Sequence, residues 1–82
     1  MSSIHQITPE FVSELKVLAC YDPANLAQGI KLHKESPEEI HDAARRLHQR
    51  GLLEASDGGY LTAFGRTQVE HLQHLLTALR SE

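Results

Sequence analysis

Apolar positions along the middle of the chain change period twice, and the elements follow from that. Ile40, Ala43, Ala44 and Leu47 recur at i, i+3, i+4 and i+7. A helix over 37–50 would therefore gather them on one face and leave Glu38, His41, Asp42, Arg45 and Gln49 on the other. Ser36 stands ready as its cap, Pro37 suits the first helical position, and Glu39, three residues after Ser36, completes a capping box. Gly51 is placed to end the helix in the left-handed conformation. Beyond it the pattern shortens to that of strands over 52–55 and 59–62, joined by a type I′ turn at Asp57-Gly58. Thr62 can cap the helix that follows.

The flanks carry helical periodicity. Thr8, Pro9 and Glu10 read as cap, first residue and first-turn acid of a helix, with Ile7 positioned for a hydrophobic staple to Val12. Phe11, Leu15 and Leu18, flanked by Val12 and Ala19, are its expected buried face. Asp22-Pro23 repeats the start signal, and Leu26, Ala27 and Ile30 are spaced for a second helix that Gly29 weakens. Residues 30–33 either finish that helix or form a strand beside the hairpin. From 62 to 80 the chain reads as one long helix. Val69, Leu72, Leu76 and Leu79 recur there at steps of three, four and three, with Leu75 widening the stripe. Such a stripe either packs on the domain or pairs with a second chain.

The succession of helix, Gly51-Leu52-Leu53-Glu54, glycine turn, Tyr60-Leu61-Thr62 and a new helix resembles the winged helix-turn-helix of bacterial transcription regulators. Leu26-Ala27 resembles the opening of the second helix in regulators of the multiple-antibiotic-resistance type, with about three extra residues before the next block. A longer string runs from Gly29 to Gly65, within a resemblance that covers nearly the whole chain: Gly29-Ile30-Lys31, His33, Ser36-Pro37-Glu38, Ile40, Ala44, Arg46-Leu47, Gly51-Leu52, Asp57 to Thr62 and Gly65. It is similar to a family of short uncharacterised bacterial proteins labelled DNA-binding. The resemblance implies an α+β, mostly helical fold: a winged helix-turn-helix of three helices, a two-strand wing and a long C-terminal helix. It also implies duplex DNA as partner, with the helix 37–50 in the reading position.

Composition fits one small domain over 1–82, short enough that a partner chain would help to complete its core. Mixed charge and the lack of any long apolar run or signal-type N-terminus point to the cytoplasm. Cys20, the single cysteine, is expected as a small core residue.

A formal charge of −3 bears directly on DNA. Lys31, Lys34, His41, Arg45, Arg46, Gln49 and Arg66 are the candidate contacts to bases and phosphates. Against them stand Glu38, Glu39 and Asp42 in the first half of the reading helix, where carboxylates repel phosphate. The wing tip, Ser56 to Gly59, offers no cation to a minor groove. The same charges suit the helix dipole, so the alternative is a winged-helix module that binds a protein rather than DNA. A homodimer is expected through Val69, Leu72, Leu75, Leu76 and Leu79. His71 and His74 sit one turn apart without the further ligands zinc requires, so no metal or other cofactor is expected. No phosphate loop or nucleophile motif points to an enzyme.

Overall fold

The computed structural model describes residues 6–80. The polar stretch that lacks signal character lies outside them as far as His5. In chain order the elements are α1 (Pro9–Ala19), β1 (Ile30–Lys31), α2 (Glu38–Gln49), β2 (Leu53–Ala55), β3 (Gly58–Leu61) and α3 (Ala63–Arg80). The fold is α+β: three helices and a three-stranded antiparallel sheet in the order β1-β3-β2.

Two of the three helix starts form as their residues predict. The Phe11 amide donates to Thr8 Oγ1 at 3.2 Å, with Pro9 at the first position of α1. At α3 the Gly65 amide donates to Thr62 Oγ1 at 2.9 Å, and the same hydroxyl donates to the Gly51 carbonyl at 2.5 Å. One threonine thus caps α3 and ties it to the end of α2. The third start differs. The Ser36 amide donates to the His33 carbonyl and closes a turn, so Pro37, extended at ψ 148°, becomes the cap of α2 without any side-chain bond. The Ser36–Glu39 capping box is not made.

The helix expected from Asp22 is also absent. Asp22 Oδ1 accepts from the Ala24 amide at 2.9 Å, a local Asx turn that competes with helix entry, and the Gln28 amide closes a second turn on Asn25. Freed from a helix, Ile30 and Lys31 pair with Gly59 and Gly58 as β1. The described chain therefore has three helices including the C-terminal one, and of the two alternatives open for residues 30–33 it takes the strand.

The hairpin turns at Ser56-Asp57, one residue earlier than predicted, with Gly58 and Gly59 at φ 118° and 68°. The positive angles fall on the two glycines, so the pair Leu53–Leu61 shifts register before Ala55–Gly58. Gly58 is also needed for close approach: a Cβ there would lie 2.9 Å from the Ile30 carbonyl oxygen.

Val17, Leu18 and Tyr21 from the α1 end, Ala43, Ala44 and Leu47 from α2, Leu52, Leu53 and Leu61 around the hairpin, and Val69 and Leu72 from α3 form the core. Helix α1 is rotated from its expected setting. Ser13, Glu14, Val17 and Leu18 are its buried residues, whereas Phe11, Leu15 and Val12 are exposed. Cys20 is exposed too, its thiol donating to the Lys16 carbonyl. No helix among the described residues is long and apolar enough to cross a membrane.

Candidate interaction surfaces

The rotation of α1 has an electrostatic cause that reaches into the candidate DNA contacts. Glu14 is only 6% exposed, and a carboxylate that deep needs cations. Arg46 Nε donates to its Oε2 at 2.8 Å, and Arg50 Nη1 donates to its Oε1 at 2.5 Å. Arg46 also donates to the Glu10 carbonyl. Arg46, which the sequence offers to phosphate, is thereby bound to α1 together with Arg50. Arg45 is exposed but paired with Asp42 one turn earlier. The outer face of α2 then keeps Glu38, Glu39, a half-buried His41 and an exposed Gln49, with His48 Nδ1 3.0 Å from the Leu53 carbonyl.

Three candidate cations remain without an ion pair among the described residues: Lys31 on β1, Lys34 in the loop after it, and Arg66 in the first turn of α3, all exposed. Tyr60 is exposed on β3, beside the open depression that Lys31, Asn25 and Gln28 line.

The expected dimer seam divides. Val69 and Leu72 are core residues, and Leu76 packs half-buried against them. Leu75 and Leu79 stay exposed at 56% and 73%. Position explains the split: the residues at three-and-four spacing from Gly65 turn toward α1 and β3, and Leu75 lies one flank further round.

That flank is one wall of an apolar groove of about 580 Å³ between α1 and α3. Its floor is made by Leu18, Leu47, Leu52 and Leu72. Phe64, Gln68, His71 and Leu75 form the α3 wall, and Ile7, Phe11 and Leu15 the α1 wall. Ile7 and Phe11 line this groove, while Val12 borders a different depression. Phe11 and Leu15 are 42% and 46% exposed and Phe64 is 55% exposed, so the walls are open to solvent. Sequence periodicity ranked Phe11 and Leu15 as core and passed over Phe64. The available signal was the four-three-four spacing of Phe64, Gln68, His71 and Leu75, a second stripe beside the one that packs inward.

Among the described residues no three histidine, cysteine or carboxylate side chains lie together as a metal site would require. A family model described as "Family of unknown function (DUF5669)" matches residues 5–80. No curated protein and no solved structure matches the chain.

Proposed function

The chain belongs to the DUF5669 family, a family of unknown function, and from its geometry we propose that it is a non-catalytic interaction module on a winged-helix-like frame. Its docking surface is the groove between α1 and α3. The order of a strand, a helix, a hairpin and a closing helix supports the frame, although the turns at 22–29 stand where a helix-turn-helix protein has its first helix. The observation that carries the reading is the groove itself: exposed Phe11, Leu15, Phe64 and Leu75 converge on an apolar floor. Contiguous apolar surface of this kind marks a place where something binds. Meanwhile the arginines of α2 are held by Glu14 and Asp42.

The test separates docking residues from core residues. In dilute solution Leu75→Ser and Leu15→Ser should each change unfolding free energy by less than about 1 kcal/mol, whereas Leu53→Ala should cost about 2–5 kcal/mol. If the two groove variants cost as much as the core variant, those side chains hold the fold together and the docking role is wrong.

A second reading, duplex DNA, draws support from the unpaired Lys31, Lys34 and Arg66. Binding through these three gives a log–log salt slope of roughly −3, and Lys31→Ala lowers its magnitude by about 1. Fluorescence anisotropy of a labelled duplex at falling salt decides it. No binding at low salt removes DNA, and the residues His41, Arg45 and Gln49 with it.

A further inference from the structure

We infer that the occupant of the α1/α3 groove is a second copy of this chain, docked so that the two α3 helices run antiparallel across a two-fold axis between Gln68 and His71. The inference rests on the docking role proposed for the groove and adds the partner and the register.

Spacing supplies the first reason. Phe64, Gln68, His71 and Leu75 are separated by four, three and four residues, so the stripe reads the same from either end. Antiparallel pairing about its midpoint sets Phe64 against the partner's Leu75 and Gln68 against the partner's His71. The outer pairs are apolar, and the inner ones match a side-chain amide with an imidazole, each able to donate and accept. An isologous interface requires this kind of self-matching surface, because residue i meets j while j meets i.

Area supplies the second. With roughly 200 Å² for a fully exposed large apolar residue, the exposed fractions of Ile7, Phe11, Leu15, Phe64 and Leu75 leave on the order of 550 Å² of apolar surface on this face. A standard interface buries about 800 Å² per partner, and homodimer interfaces are about 65% apolar, which asks for on the order of 520 Å². Complete burial of these five side chains would supply about the apolar area that a standard homodimer uses.

Charge supplies the third. Near a two-fold axis every charge approaches its own image, so a self-pairing face must be close to neutral. The four α3 residues carry no formal charge when His71 is neutral, and the two charged residues that line the groove, Glu14 and Arg50, are paired with each other. The charged residues Arg66 and Glu70 lie away from the stripe, outside the groove.

Sedimentation equilibrium over micromolar to submillimolar concentrations tests the partner. The native chain should be a dimer, and Leu75→Asp and Phe64→Glu should each weaken association at least ~30-fold. Thr77→Asp, on the far side of α3, should leave it unchanged, with circular dichroism reporting that all variants are folded. A native chain that stays monomeric, or a dimer indifferent to both groove variants, overturns the second copy as occupant. The docking role falls separately, only if Leu75→Ser and Leu15→Ser behave as core variants in dilute solution. Register is read in a Cys20→Ser background by mixing Gln68→Cys with His71→Cys chains under oxidation. Unlike pairs should exceed like pairs, and predominance of like pairs overturns the antiparallel alignment.

Discussion

At the scale of single residues, Gly65 shows how a local preference is reversed by its surroundings. Alanine ordinarily favours a helix over glycine by about 1 kcal/mol. A Cβ at Gly65, however, would lie 2.1 Å from the Leu52 carbonyl oxygen, and backbone cannot move aside as a flexible side chain would. Gly65→Ala should therefore destabilise the chain by about 3 kcal/mol or more in denaturant unfolding, the opposite of the usual sign. Tyr21 is the second such residue. Its hydroxyl donates to the Gly59 carbonyl at 2.8 Å, fastening the end of α1 to the hairpin. Burial, with a smaller contribution from neighbouring Cys20, pushes its pKa from 10.0 up to about 12. Above pH 10 the unfolded chain loses this proton while the native chain keeps it. Tyr21 thus leaves stability flat below pH 10 and lowers it as pH climbs toward 12, by at most roughly 1.4 kcal/mol per pH unit. Tyr21→Phe should flatten that alkaline limb in thermal melts and cost about 1–2 kcal/mol at neutral pH through the unpaired carbonyl.

At the scale of elements, the setting of α1 against α2 depends on one carboxylate. Glu14→Ala leaves Arg46 and Arg50 facing a buried void and should cost about 3 kcal/mol, the lower end for a buried pair, because both guanidinium groups still reach water. Asp42→Ala, at an exposed pair on the same helix, should change unfolding free energy by less than about 0.5 kcal/mol. The same contrast marks what could be read in advance. Thr8-Pro9, Thr62 and the period of α2 act within one or two turns, so their signals sit side by side in the chain and the elements were legible from them. The partnership of Glu14 with Arg46 and Arg50 spans more than thirty residues. No periodicity encodes it, and without it Phe11 and Leu15 look like core. Asp22-Pro23 misled for the converse reason: an aspartate that can cap a helix can equally close its own Asx turn, and only pairing of β1 with the glycines of β3 decides between them.

At the scale of the whole molecule, a chain of 82 residues buries only roughly 60% of its unfolded surface, and part of its apolar surface faces water in the α1/α3 groove. The proposed self-association through that groove would add to stability by mass action, so the melting temperature of the native chain should rise with protein concentration and that of Leu75→Asp should not. Parallel calorimetric scans across a concentration series check this. The sheet sets a further limit on such association. Its two outer strands, β1 and β2, are two and three residues long and carry exposed Lys31 and Glu54. Long, flat, apolar strand edges recruit further strands without end, whereas short charged ones do not. Growth by strand addition is thus blocked at both rims, and the proposed pairing through the groove would end at closed pairs rather than continue into fibres.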